Sequence, residues 1–528
     1  MSAQFKIKAA DPASVVRLER ELGLPRFIAA TLVARGIDNP AAVHRFLAPS
    51  LERDWLDPYI IPGLSDVADA LEAAVKRGDH ILVFGDFDLD GISATTVLTR
   101  GLRALGAQAT PFIPLRFEEG YALSQAAITR ACSFGPDFIV TVDCGIACKA
   151  EAAAVVEAGL GLAITDHHEP VDLVPEGVPV ADPKCDANCP SSILAGVGVA
   201  LKLVQVLGGR LGQPHLWRDF TDFATLGTVA DLMPMRDENR ALVSDGIARM
   251  NAAPRPCIAA LLATSGAADK PVSATNLSFS VIPRLNAAGR MGDAQLALDL
   301  LMTDDFEEAN RLATKLESVN DQRRAIEAEL SEIAKAQAAE IYHGQRALVV
   351  SGESWHEGVK GIVASRLVNT YGVPSLLFTI DGDEARGSGR SVGQVSLFSA
   401  VESASDLLTR FGGHDAAVGV TLPADKLPEF ERRLCAYMDA LPEGAFHPLV
   451  EIDSCVSLDE LTLDNVAQLD KLAPFGQEHP VPVYLARDVM LANCRAVGAE
   501  KNHFSCSLSD GRATVSGIMF HCSDIESL

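Results

Sequence analysis

The sequence predicts an α/β protein: a mostly parallel sheet domain, a long connecting helix, a second α/β domain and a small C-terminal β-barrel. Three observations carry this. Between residues 64 and 181, short apolar runs alternate with helical patterns, as in sheets covered by helices on both faces. Residues 293–343 contain neither glycine nor proline and place apolar side chains at three-four spacing. Residues 450–520 break into short alternating segments, the pattern of a small antiparallel barrel.

The elements follow in order. Residues 1–60 read as a helical arm, with Val15, Val16, Leu18 and Leu22 on one face, and Phe27, Ile28, Leu32 and Val33 on another beyond Pro25. Ile61-Pro62-Gly63 marks a boundary, and the first α/β domain is expected over 61–292. Its strands are predicted at 81–85, 110–114, 138–142 and 162–165, with 178–180 an edge strand because of Pro179. The connecting helix, 293–343, is expected to run for about 38 residues, or roughly 57 Å. Asp304 and Glu307 resemble a capping box, and Arg323 interrupts the seam. The second α/β domain occupies 344–441 and the β domain 442–528.

Composition narrows the function classes. A formal charge of −25 argues against a broad basic surface, although a few arginines can still line a groove. No apolar run is long enough to span a bilayer, and the N-terminus lacks the apolar core of a signal peptide. The 11 cysteines are scattered without a Cys-x-x-Cys pair, as expected of reduced thiols in the cytoplasm. There is no nucleophile elbow, no Gly-x-x-x-x-Gly-Lys loop and no dinucleotide fingerprint at the first strand.

What remains is a coincidence of strand ends. The first strand ends in Asp86-Phe87-Asp88-Leu89-Asp90-Gly91, the third in Asp143-Cys144-Gly145 and the fourth in Asp166-His167-His168. Ligands of open parallel sheets sit beyond the carboxyl ends of the strands, so these side chains aim into one crevice. Asp231, beside an apolar run, is by itself more often a helix cap than a ligand. The Gly-rich opening Ala195–Ala200 suits close packing as well as phosphate binding, and the Gly-rich turns at 387–391 and 411–414 suit tight turns as well as anions. Carboxylates and imidazoles without thiolates favour Mg²⁺ or Mn²⁺, and their number points to two ions. Residue-level reading therefore reaches metal-dependent hydrolysis of a phosphoester or phosphoanhydride, and no particular substrate.

Asp86–Gly91, Val142–Gly145, Asp166–His168 and Thr228–Asp231 resemble the four signature motifs of the DHH phosphoesterases, and Gly412-Gly413-His414 resembles that of the DHH-associated domain. Within that superfamily, Pro283–Arg290, Trp355–Gly358 and Gly387–Ser391 are similar to the RecJ-like branch, which degrades single-stranded DNA from the 5′ end. The resemblance implies that Asp88, Asp90, Asp143, His167 and Asp231 hold two Mn²⁺ or Mg²⁺ ions, with Asp143 bridging and Asp86 either ligating or supporting. It implies that His168 contacts the scissile phosphate, as a donor to it or as the proton source for the leaving group. Arg116, Ser388 and Arg390 would grip the 5′ phosphate, and Arg284, Asn286 and Arg290 would line the strand channel. Tyr121 would stack on a base or sit in the core, and His414 would bind DNA from the second domain.

The implied activity is single-strand-specific 5′→3′ exonuclease action releasing 5′-mononucleotides in DNA repair and recombination. The implied partners are a single-strand-binding protein and a helicase, around a monomeric enzyme. Alternatives are a DHH phosphodiesterase acting on oligoribonucleotides or cyclic dinucleotides, and a non-catalytic DHH replication scaffold. Two departures stand out. Phe84 occupies a position where some relatives carry a histidine ligand. The chain also stops soon after Phe520, so the barrel, implied to be an OB-fold, is expected to lack its last strands.

Overall fold

The computed structural model describes residues 4–120, 122–499, 501–520 and 522. The chain divides into two compact units: Ser50–Phe446 with Gly476–His479, and the remainder.

In the larger unit the first sheet holds β1 (His80–Phe84), β2 (Gln108–Phe112), β3 (Phe138–Thr141), β4 (Gly161–Thr165) and β5 (Val180–Ala181). All are parallel, in the order β2-β1-β3-β4-β5. Ile81, Leu82, Val83 and Phe84 are each 0% exposed, so β1 is buried on both faces, which is why its apolar run is continuous. The prolines keep to the edges: Pro111 lies in β2 and Pro179 just precedes β5. The chain leaves β1 toward one side and reaches β3 on the other, and that reversal opens a crevice at the carboxyl ends of β1 and β3.

Helices α1 (Leu89–Ala104) and α2 (Gly196–Arg210) pack closely in this layer, because Gly101 leaves room for Val204; a Cβ there would sit 2.7 Å from it. Next come α3 (Thr221–Ala230), α4 (Ile282–Arg290), α5 (Phe306–Ile341) and α6 (Lys360–Tyr371). The long helix has about the expected length but does not fill residues 293–343. Residues 294–302 form a separate helix, and α5 spans 36 residues from Phe306. The break arises because Thr303 is extended and Asp305, not Asp304, caps α5 by accepting the Glu308 N–H at 2.7 Å. Arg323 is tolerated on the seam because Glu327 and Asn320 on the same helix take its guanidinium. The first half of α5 contributes Ala309, Leu312 and Leu316 to the core of the parallel-sheet domain. The second half gives Leu330, Ala334 and Ala338 to a core shared with β6 (Leu348–Glu353) and α6. One helix thus serves two cores.

The second sheet continues with β7 (Ser375–Asp381), β8 (Glu384–Arg390), β9 (Arg410–His414) and β10 (Ala417–Pro423), in the order β9-β10-β8-β7-β6. Only β6 and β7 are parallel.

One further expectation changes. The N-terminal arm is not helical throughout and does not extend to residue 60. Gln4–Ile7 is a strand paired in parallel with Leu449–Ile452, and residues from Ser50 group with the larger unit. The later boundary fails because Trp55 and Leu51 join the large core. Buried Lys202 lies 3.9 Å from the Trp55 ring centroid and bonds the Leu56 carbonyl at 2.6 Å as well as Glu238. The C-terminal β domain is present as expected, joined by pairings that its own pattern does not show. An antiparallel sheet of Met490–Val497, His503–Ser509 and Thr514–Met519 accompanies two parallel pairs, Gln4–Ile7 with Leu449–Ile452 and Ser454–Cys455 with Tyr484–Leu485. Strands contributed by the N-terminal arm cannot be seen from the C-terminal pattern alone. Within this unit Arg35 forks onto Asp453 through two bonds of 2.9 Å, a buried pair tying the arm to the β region.

Candidate active site

The site is built on the crevice where the sheet order reverses. After β1 the chain turns at Gly85 and buries Asp86. Asp88 then caps α1, its Oδ1 accepting the N–H groups of Asp90 at 2.9 Å and Gly91 at 3.1 Å. A Cβ on Gly91 would lie 2.6 Å from the Asp86 backbone, so only glycine allows this turn. Asp90, 1% exposed, accepts Gly196 N–H at 2.7 Å and Val197 N–H at 3.0 Å from the first turn of α2. Asp143 follows β3 with φ +61°, a conformation strained for a non-glycine residue and characteristic of functional sites. Asp231 closes α3 at its C-cap.

His167, after β4, gathers these groups. Its Nε2 lies 3.1 Å from Asp143 Oδ1, 3.6 Å from Asp90 Oδ2 and 3.7 Å from Asp231 Oδ2. Three overlapping sets have potential ligand atoms within 4.8 Å of one another: Asp86, Asp88 and Asp143; Asp90, His167 and Asp231; Asp143, His167 and His168. All five expected metal ligands therefore converge, together with Asp86 and His168, and Asp143 belongs to two of the sets.

Such crowding is unfavourable without positive charge. Burial, then neighbouring carboxylates, push Asp86, Asp90 and Asp143 well above the usual carboxylate range. Burial and Asp88 push Asp231 up to about 6. Burial and the adjacent His168 hold His167 down at about 3, leaving a neutral imidazole suited to ligation. Asp86 Oδ1 and His167 Nδ1 are buried without a hydrogen-bond partner. Cys144, directly after Asp143, stays a thiol because burial raises its pKa strongly. An oxygen-rich, thiolate-free, over-crowded anionic cavity fits hard divalent cations such as Mg²⁺ and Mn²⁺.

Three residues have roles here that the strand-end pattern does not specify. Gly196 and Gly227 are required by the ligands: a Cβ would come within 2.5 Å of Asp143 from the first and within 2.6 Å of Asp90 Oδ1 from the second. The run of small residues at 195–200 was the visible signal, and contact with the carboxylates is what it serves. The third is Asp166. Its Oδ1 accepts His168 Nδ1 at 2.7 Å and the N–H groups of His167 and His168, while Oδ2 accepts Ile146 N–H at 2.9 Å. Burial opposes a charge on His168, yet the Asp166 bond and the charges of Asp166, Asp231 and Asp90 lift it to about 9. Asp166 thus fixes the tautomer, orientation and charge of His168. Asp166→Asn is expected to lower the turnover number about 10–100-fold while leaving metal-induced thermal stabilisation near wild type, measured by steady-state hydrolysis and thermal melting.

Phe84 sits in the apolar core below the sheet, its ring 4.9 Å from that of Phe112, and takes no part in the site. Arg116 stands next to the carboxylates, its guanidinium 4.7 Å from the Phe87 ring centroid and within the field of Asp86, Asp88 and Glu357. It opens onto a cavity of about 480 Å³ lined by Arg116, Phe117, His356, Glu357, Arg386 and Ser388. Strand alternation puts Arg386, Ser388 and Arg390 on one side of β8. Gly361 makes room for the Arg390 guanidinium, since a Cβ there would fall 2.5 Å from Nη2. Burial, then the charges of Arg116, Arg390 and Arg323, draw Arg290 down to about 10. Arg290 also donates to the Gly358 carbonyl at 3.2 Å. Arg116 and Arg390 thus crowd positive charge onto Arg290, an arrangement suited to an anion.

The other described residues expected to contact DNA lie on α4 and at the end of β9. Arg284 is buried and its guanidinium is taken by Glu317 of α5 and the Ser280 carbonyl, so it braces α4. Asn286 accepts the Leu89 N–H at 3.2 Å and steadies the start of α1. His414 is exposed at the end of β9, its Nδ1 accepting Ala416 N–H at 3.3 Å. Tyr121 lies outside the described residues. A second cavity of about 580 Å³ adjoins the other side of His168, where Leu123, Cys148 and Asp166 meet Arg410 from β9.

Comparison with known proteins matches this architecture. The family described as DHH family, N-terminal domain, covers residues 80–228; the DHHA1 domain covers 344–440 and the RecJ OB domain 452–527. The single-stranded-DNA-specific exonuclease RecJ of Bacillus subtilis is 34% identical over 99% of this chain and 66% of its own length, so the chain spans just under two thirds of that relative. RecJ of Dickeya dadantii is 32% identical over 94% of this chain and 89% of its own. Crystal structures of Thermus thermophilus RecJ with Mn²⁺ and with Mg²⁺ superpose with TM-scores of 0.85 and 0.78, at 31% and 28% identity. Each match covers 99% of this chain, and 74% and 73% of those chains. On identity, coverage and fold alike, this chain belongs to the RecJ family of DHH phosphoesterases.

Proposed function

We propose that this chain is a hydrolase that degrades single-stranded DNA from the 5′ end and releases 5′-mononucleotides with two Mn²⁺ or Mg²⁺ ions. The observation that carries this reading is the adjacency of the two sites: Arg116 stands in the field of Asp86 and Asp88 while lining the cavity it shares with Ser388. An anion pocket next to a hydrolytic centre selects a chain end, because the terminal phosphate and the first phosphodiester are held together.

Asp88, Asp90, Asp143, His167 and Asp231 would hold the ions. When bound, two divalent cations supply a nucleophilic water at neutral pH and neutralise charge on the phosphoryl oxygens. The remaining work falls to the chain. Arg116, Ser388 and Arg390 bind the 5′ phosphate, and Arg290 adds charge from behind. Asp86, flanked by Asp88 and Arg116, supports the ligand loop and receives the proton released at the nucleophile. His168, charged through Asp166, donates a hydrogen bond to the scissile phosphate and delivers the proton that the leaving 3′ oxygen takes up.

The passage between the two α/β domains, spaced by α5, admits a single strand and excludes duplex. His414 contacts the strand from the second domain, and Arg284 and Asn286 act by bracing α4 and α1. The enzyme works as a monomer in the cytoplasm, in repair and recombination, beside a single-strand-binding protein and a helicase. Among the described residues no helix is long and apolar enough to cross a membrane.

The reading is tested with three substrates: a single-stranded oligonucleotide, a blocked-end duplex, and the single strand with chelator in place of Mn²⁺. Mononucleotide release from the first substrate alone supports it. Equal digestion of the blocked duplex, or undiminished digestion under chelation, overturns it.

A further inference from the structure

The cavity bordered by Arg116 and Ser388 is larger than one phosphate needs. It holds about 480 Å³, against the volume of about 30 Å³ that a single water takes in the liquid. It is also not uniformly basic. One wall carries the carboxylate of Glu357, and that carboxylate is anchored. Lys360, its side chain 0% exposed, donates from Nζ to Glu357 Oε1 at 2.7 Å and also bonds the Arg386 carbonyl. An ammonium this deeply buried requires a partner of opposite charge, so the pair holds the Glu357 carboxylate in place. Glu357 nevertheless remains 37% exposed. It stands in the field of both cavity arginines, Arg116 and Arg386, and Arg386 is already paired with Glu384.

We propose that Glu357, clamped by Lys360, limits the charge this cavity accepts, so that a 5′-monophosphate end is taken and a 5′-triphosphate end is rejected. This rests on the reading of the cavity as the 5′-end site. Arg116, Ser388 and Arg390 match the charge and donors that one terminal phosphate needs. Two further phosphates have space, but that space holds a fixed carboxylate and an arginine spent on Glu384. Like charges brought together out of bulk water are a strong means of exclusion. The competing reading is that Glu357 only orients Arg116, in which case its loss would weaken both ends alike.

The test compares kcat/KM of the full chain with Mn²⁺ on one oligonucleotide carrying a 5′-hydroxyl, 5′-monophosphate or 5′-triphosphate. Wild type is expected to prefer monophosphate over triphosphate by about tenfold or more. Glu357→Gln, which retains an acceptor for Lys360, is expected to narrow that ratio by about fivefold or more, and Glu357→Asp to preserve it. Should Glu357→Gln melt early because Lys360 is stranded, the double variant with Lys360→Met removes the unpaired ammonium, and the same ratio is read from it. A folded Glu357→Gln with the wild-type ratio overturns the charge limit alone. A wild type that treats all three ends equally overturns the end-site reading itself.

Discussion

Asp143→Ala is expected to reduce hydrolysis by on the order of 10³-fold or more while leaving the fold intact. Asp143 belongs to two of the three ligand sets and contacts His167 at 3.1 Å, so no other carboxylate can substitute for it in both. The loss should not come from unfolding. Without metal, Asp143 is a buried carboxylate facing Asp90, Asp88 and Asp86, and its removal relieves a repulsion that outweighs the cost of alanine at φ +61°. The metal-free melting temperature should therefore equal or exceed that of wild type, whereas the rise produced by Mn²⁺ should shrink markedly. Retained activity with a normal Mn²⁺-induced rise would remove Asp143 from the bridging position. An early metal-free melt would make its role structural.

Arg116→Ala carries the second largest expected effect, a fall of about 100-fold in kcat/KM on 5′-phosphorylated single strands. The guanidinium is held against Phe87 and lines the cavity with Ser388, so truncation empties the centre of the end site. The advantage of a 5′-phosphate over a 5′-hydroxyl should disappear with it. Lysine should recover little, because a point charge reproduces neither the stacking on Phe87 nor a bidentate grip. Steady-state kinetics on paired 5′-phosphate and 5′-hydroxyl oligonucleotides decide this. An unchanged phosphate preference in Arg116→Ala would move the end site elsewhere.

Much of the metal cluster was legible because it follows from local rules. Asp86, Asp88 and Asp90 fall within the short turn from β1 into the first turn of α1, and apolar runs interleaved with helices imply parallel strands whose carboxyl ends meet. Other features depend on contacts between distant segments. That Gly196 and Gly227 touch carboxylates, that Asp166 serves His168, and that Glu317 consumes Arg284 are facts of packing with no signature in spacing. The same holds for Gln4–Ile7, which reads as the start of a helical arm until Leu449–Ile452 is found beside it. The start of α5 was misplaced because two adjacent aspartates both suit a cap, and only the extended backbone at Thr303 chooses Asp305.

Asp86, Asp88 and Asp90 have distinct roles within one short run. Asp90 is locked by the first turn of α2, Asp88 caps α1, and Asp86 keeps a buried oxygen free beside Arg116. That connection between the hydrolytic cluster and the end cavity is the centre of the account. Its most direct measurement follows a single-stranded oligonucleotide labelled at either end during Mn²⁺-dependent digestion. The account predicts that a 5′ label appears at once as mononucleotide, while a 3′ label stays in progressively shortened fragments. Immediate release of the 3′ label as mononucleotide, or internal fragments bearing the intact 5′ label, would contradict it.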